Sequence, residues 1–234
     1  MNKLNILFTL SSLNVLLVTA ERFSFTTKIL LAPYSFLRLH EVFQISVLLL
    51  FTVIIPFLIL REATGKFDLF NTKNGAILAL LFVIGVYFYS TGNGVHELGS
   101  FLFNQYCDTK KVVGEMCGGM FFNDYYFGNI LYFIGAILMN IVFLFFERMR
   151  PNKTFIKKDM LPLAINGVIY SFAIFAYAAF DRVLVGFIYS LVMTLIADCF
   201  YFLNKKSYLA KPVTTYLALT YSLGTIASII VRFR

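Results

Sequence analysis

Runs of predominantly apolar residues recur along this chain, most of them near the twenty or so residues a helix needs to cross a hydrocarbon core. They fall at Leu4–Ala20, His40–Leu60, Asn74–Ser90, Tyr125–Phe146, Met160–Phe180, Val183–Leu203 and Pro212–Val231. In lipid each backbone polar group must be satisfied within the protein, so such runs become helices. The expected fold is all-α, a polytopic transmembrane helix bundle of about seven helices in one integral membrane domain over residues 1–234. Composition agrees, because only 14% of residues are charged, against about one quarter in soluble domains. The first run reads two ways. After Lys3 it ends in Val18-Thr19-Ala20, which fits a secretory cleavage pattern as well as a retained helix. Retention is the expectation, and cleavage would leave six helices. Residues 21–39 read as a mixed linker.

The net charge of +8 suggests a nucleic-acid partner only until the basic residues are placed. They sit in short runs between apolar segments, without the basic face of a nucleic-acid module. Membrane lipids are the expected partners, and nucleic acid is excluded. With seven helices, the amino terminus and the second, fourth and sixth loops carry 12 of the 20 Lys and Arg residues. The positive-inside rule then puts the amino terminus in the cytoplasm and the carboxyl terminus outside.

One long stretch is not plainly built for lipid. Residues 91–124 contain His96, Cys107, Cys117 and four of the twelve acidic residues, and read as an outer polar segment between the third and fourth helices. Within it, Thr91-Gly92-Asn93-Gly94 gives the backbone freedom for a break or a close approach. Val95, Leu98, Phe101, Leu102 and Tyr106 recur at helical spacing, so residues 95–105 are expected to continue the third helix or lie at the interface. Cys107 and Cys117 enclose nine residues and form a disulfide candidate in an oxidising exterior. A protein partner would dock on this segment.

The alternation of seven helices brings sequence-distant polar groups to one membrane face: His40, Glu41 and Gln44; Asn93, His96 and Glu97; Asn123 and Asp124; Asp181 and Arg182. Polar groups at membrane depth are costly and face a bundle interior or a wet cavity, although helix ends also collect them for no functional reason. The acid–base candidates are His40, Glu41, His96, Glu97 and Asp124. No H-E-x-x-H helix occurs, so a Zn or Fe site would need His40 and His96 from different helices with a carboxylate such as Asp124. A satisfied histidine at a helix end is the plainer reading. Inside the membrane, Asp198 and Asn140 are candidates for an ion or solute path, with a Lys-paired Asp198 as the bland alternative. Cys199 reads as a small apolar filler. Gly128 and Gly135, seven residues apart, suggest close helix packing.

At Gly92-Asn93-Gly94-Val95-His96 and Asn123-Asp124-Tyr125-Tyr126-Phe127-Gly128-Asn129 the chain resembles a group of uncharacterised polytopic bacterial membrane proteins with a G-x-G-x-H, then D-E, then His pattern. The resemblance implies a bacterial inner membrane. It breaks where Tyr125 replaces the Glu and Asn129 replaces the His, which implies an altered, non-catalytic descendant if the pattern marks an acid–base or metal site. Three functions therefore compete: a binding or assembly protein, the leading expectation; a membrane-embedded lipid hydrolase or isomerase, possibly metal-dependent; and a small-solute or ion transporter.

Overall fold

Each apolar run folds as a helix, and most helices outrun their run. The computed structural model describes residues 2–33 and 35–234. The helices are α1 (Lys3–Glu21), α2 (Leu39–Ala63), α3 (Lys73–Tyr106), α4 (Glu115–Met149), α5 (Met160–Phe180), α6 (Val185–Leu203) and α7 (Pro212–Arg232). All seven are long and apolar enough to cross a membrane, as a multi-pass integral membrane protein requires. Among the described residues there is no β-strand, only an isolated bridge between Leu30 and Arg38.

The stretch 91–124 is mostly helix. Residues 91–106 continue α3 without a break, residues 115–124 begin α4, and only the short turn between them is irregular. Cys107 and Cys117 are joined across that turn, with Cα atoms 5.8 Å apart. The glycine-rich sequence serves close approach and not a break. A Cβ built on Gly92 would lie 2.2 Å from the Tyr132 nitrogen, and one on Gly135 would lie 2.3 Å from the Tyr89 nitrogen. Gly99 meets the Asp124 nitrogen at 2.9 Å in the same sense. Glycines at 85, 92 and 99 on α3 thus interlock with glycines 128 and 135 on α4. Their seven-residue spacing keeps them on one seam, where small residues let backbones touch.

The remaining helices close around that pair. α1 lies on α5 through side-chain hydrogen bonds: Asn5 Nδ2 donates to the Asp159 carbonyl (3.0 Å), Ser12 Oγ to the Asn166 carbonyl (3.0 Å), and Asn166 Nδ2 to Thr9 Oγ1 (3.0 Å). α1 also holds α2, where Asn14 Nδ2 donates to the Leu48 carbonyl at 3.3 Å. Gly224 brings α7 within 2.6 Å, by the same Cβ measure, of the Ile174 side chain on α5. Pro212 opens α7, where its missing N–H costs nothing. Phe8, Leu144, Leu163 and Met193 are fully buried between these layers.

Two intramembrane expectations change. Cys199 is exposed on the outer face of α6 and is not packed as a filler. Asp198 has no lysine partner among the described residues. Both its oxygens accept from Ser222 Oγ at 3.1 Å, which ties α6 to α7.

Candidate functional site

Two departures from regular α-helix prepare the polar end of the bundle. Gln44–Leu48 in α2 and Asn123–Gly128 in α4 are π-helical. Such insertions weaken the local hydrogen-bond ladder and recur at functional sites. The first carries Gln44 and the second carries Asp124, and both side chains face the same interior space. Nothing in the residue pattern announces a π turn.

Around them the charged side chains pair. His96 Nδ1 lies 2.8 Å from Asp124 Oδ1 and 3.0 Å from the Asp124 carbonyl oxygen. His40 Nδ1 touches a Glu21 carboxylate oxygen, and His40 Nε2 is 3.9 Å from Glu97 Oε2. Glu97 in turn lies 3.7 Å from an Arg22 nitrogen. Gln44 Nε2 donates to Glu21 Oε2 and to the Val18 carbonyl, each at 3.1 Å. Glu21, His40, Gln44, Glu97 and Asp124 are all buried. The expected convergence of α2, α3 and α4 therefore occurs. It also takes in Glu21 and Arg22 from the expected linker, since α1 continues one residue past the apolar run, to Glu21. Glu41 and Asn123 stay outside. Glu41 accepts from the Arg38 backbone and side chain at the start of α2 (2.9 Å each), and Asn123 is exposed.

Asp181 and Arg182 reach the same end from the turn after α5. Asn129 Nδ2 sits 3.5 Å from Asp181 Oδ2, and Arg182 stacks over the Phe121 and Tyr125 rings at 5.4 Å each. Burial pushes the Asp181 carboxyl above its ordinary range, against the pull of the Arg182 backbone N–H. Arg232, at the end of α7, secures this turn by donating from its guanidinium to the Asp181 carbonyl at 2.7 Å.

Arg22, Gln44, His96, Glu97, Asp124, Asp181 and Arg182 border one cavity of about 580 Å³, whereas Glu21, His40 and Arg232 do not line it. Every helix lines it, from Asp124 and Arg182 at one end to Val213, the second residue of α7, near the other. Its polar end holds Arg22, His96, Glu97, Asp124, Asp181 and Arg182, while Tyr89, Tyr132, Tyr170, Tyr177, Tyr189, Tyr216 and Tyr221 line the deeper part. Phe133 stacks on Tyr189 at 4.3 Å, and Asn140 Nδ2 donates to Tyr221 Oη at 3.0 Å, where Tyr189 Oη also meets it. The exposed rings of Phe23, Phe51 and Phe180 belong to the lining, so the cavity opens to the outside of the bundle. Asn140 lines the cavity and Asp198 does not.

Chemically, the end of the cavity offers an oriented imidazole at His96, carboxylates at Glu97 and Asp124, and cations at Arg22 and Arg182. Among the described residues no three His, Cys, Asp or Glu side chains gather as a metal-ligand group. His40 and His96 are instead turned to different carboxylates. Tyr125 and Asn129, the two positions where the bacterial pattern fails, both face the cavity. No protein-family model matches the chain, no curated protein matches it, and no solved structure matches it.

Proposed function

We propose that this is a ligand-binding membrane protein that draws an amphiphile from the bilayer into its interhelical cavity. The polar head would lie against His96, Glu97 and Asp124, and the apolar part among the tyrosines. One observation supports the reading: a single cavity of about 580 Å³ carries its formal charges at one end only. Mostly apolar cavities of about 300–1,000 Å³ with a few convergent polar groups are the usual form of small-molecule sites. Entry from the side, past Phe23, Phe51 and Phe180, spares an apolar ligand any passage through water. A dansylated lysophospholipid titrated into the protein in nanodiscs should bind saturably at one site. Ala173→Trp, which fills the wall, should abolish that binding, and Asp124→Asn should weaken it. Unsaturable partitioning, equal in all three proteins, would sink the proposal.

We place the chain in a bacterial inner membrane with the amino terminus cytoplasmic, so that the polar end of the cavity opens outward. The 12-to-8 division of Lys and Arg supports this orientation. Alkaline phosphatase fused after Arg234 should be active and fused after Lys153 inactive, and the opposite pattern would invert the map. The outward turn between Cys107 and Cys117, which carries the exposed Val113 and Met116, is the surface a protein partner would meet.

A second reading, a lipid hydrolase or isomerase, draws support from His96 and Asp124. A carboxylate on Nδ1 fixes the imidazole tautomer and leaves Nε2 for proton transfer. A metal-dependent form, with Zn or Fe at His40, His96 and Asp124, would require His40 to leave Glu21 and the His96–Asp124 contact to open around the ion. Stoichiometric metal lost on His40→Ala/His96→Ala would establish that form, and its absence from the wild-type protein would remove it.

A further inference from the structure

The opposite end of the bundle carries a second, basic concave surface. α4 ends at Met149 and α6 at Leu203, side by side, with Phe145 and Phe200 in edge contact at 5.0 Å one turn before those ends. Beyond that contact a concave surface is ringed by Arg148, Lys205 and Lys206. None of the three enters an ion pair among the described residues. The neighbouring carboxylate is occupied elsewhere, since Glu147 accepts the Val213 and Thr214 N–H groups on the far side of α4. Arg150 is taken by Asp68 at 3.4 Å.

The bland account is that cations collect at helix C-termini to offset the macrodipole. Magnitudes decide against it as a full account. Two helix ends contribute roughly one negative charge between them, about −0.5 each, while three full cations stand around the concavity. An excess of about two positive charges is left. The surface is also ordered. Lys206 N–H donates to Asn204 Oδ1 at 3.2 Å, Lys206 Nζ to the Arg148 carbonyl at 3.4 Å, and Lys211 Nζ to the Asn204 carbonyl at 2.7 Å. Directly beside this surface, at the end of α6, Phe202 and Leu203 are 77% and 68% exposed.

We infer that this surface binds the phosphate headgroup of an anionic phospholipid, with the acyl chains lying along the exposed end of α6. Basic pockets between transmembrane helices recognise such headgroups by charge. The apolar shelf at Phe202 and Leu203 selects a lipid over free phosphate.

Cys199 supplies a native reporter. It is the one cysteine outside the Cys107–Cys117 disulfide, which sits at the other end of the bundle, and it lies one turn before Phe202 and Leu203 on α6. A bimane on Cys199, in phosphatidylcholine vesicles doped with brominated phosphatidylglycerol, should be quenched more than by the same fraction of brominated phosphatidylcholine. Lys205→Gln/Lys206→Gln should lower that preference about fivefold per charge removed, the equivalent of ~1 kcal/mol each. Lys157→Gln/Lys158→Gln removes the same charge from the same end of the bundle, at exposed positions, and should leave the preference intact. Equal quenching by the two lipids in the wild-type protein overturns the inference. So does an equal loss in both double variants, which would reduce the effect to diffuse surface charge. If inorganic phosphate binds the wild-type protein without any lipid preference, the site is an anion site and the inference also fails.

Discussion

Gly128 on α4 lies against the backbone of His96 on α3, so closely that a Cβ there would stand 2.8 Å from the His96 nitrogen. Four residues before Gly128 on the same helix, the backbone of Asp124 meets Gly99 in the same manner. The His96–Asp124 pair is thus set by main-chain contact between two helices, and side-chain choice comes second. Any substitution that separates the seam moves both partners.

The seam makes a sharp comparison available within one turn of α3. Gly92→Ala places its Cβ against Tyr132 backbone, which cannot yield as a side-chain tip does. Overpacking of this kind costs about 1–3 kcal/mol. Gly94→Ala meets nothing within 4 Å, and should be neutral or stabilising by up to about 1 kcal/mol through helix propensity. Thermal unfolding of the two variants in one detergent should separate them in opposite directions. Equal behaviour would mean that the interlock is absent.

This seam was half legible in the sequence. Gly128 and Gly135 stood out on an otherwise apolar helix, whereas Gly92 was legible only as a point of break or close approach, and Gly85 and Gly99 gave no signal of their own. Helix positions were legible because length and apolarity are local properties. The convergence of His40, His96 and Asp124 on one end followed from alternation alone. Their partners did not follow, since pairing depends on rotation of each helix about its axis, and the π turns at Gln44–Leu48 and Asn123–Gly128 reset that rotation without a residue signature. Glu21 was missed for a plainer reason: α1 runs to its last turn with a charge that hydropathy assigns to a loop. The cavity was invisible, because its tyrosines come one or two at a time from α3, α4, α5, α6 and α7.

Asp181 should make the protein more stable as the pH falls. Burial raises its carboxyl pKa above the unfolded value, so the folded state penalises the ionised form. That penalty is present at neutral pH and is relieved as pH drops through the raised folded value. Asp181→Asn should therefore be neutral or stabilising at pH 7, and should remove part of the acid-side gain. Unfolding midpoints of wild type and variant, followed from pH 7 downward, should converge. A gap that widens on acidification would give Asp181 the opposite sign.

The Cys107–Cys117 pair closes a ten-residue separation at the tips of α3 and α4. A short loop of this size is worth about 2–3 kcal/mol in the chain-entropy account. Reduction, or Cys107→Ser/Cys117→Ser, should lower stability by about that amount in the oxidised background. Lipid preference at Arg148 should not change, because that surface is at the other end of the bundle. A free-thiol assay on the unreduced protein should find Cys199 alone, and three reactive thiols would remove the pair.

Glu147 bears on how the bundle closes on itself. It is buried, with 3% of its surface exposed, and accepts from the Val213 N–H at 2.8 Å, the Thr214 N–H at 2.7 Å and Thr214 Oγ1 at 2.7 Å. These are donors that the first turn of α7 cannot satisfy internally. The Glu147 side chain of one helix thus caps another, at the positive end of the α7 dipole. Lys211, just before α7, is held above the same junction by the Tyr201 and Asn204 carbonyls, and burial pulls its amine below the ordinary lysine range. Glu147→Ala leaves buried N–H groups unpaired, at about 1–3 kcal/mol. Glu147→Gln keeps an acceptor and the shape, so it should retain most of the stability. Because α7 carries Tyr216 and Tyr221 into the cavity, the alanine variant should also lose lysophospholipid binding while His96 and Asp124 stay intact. If Glu147→Ala unfolds at the wild-type temperature, the cap contributes nothing, and the junction is held by Lys211 and apolar packing instead.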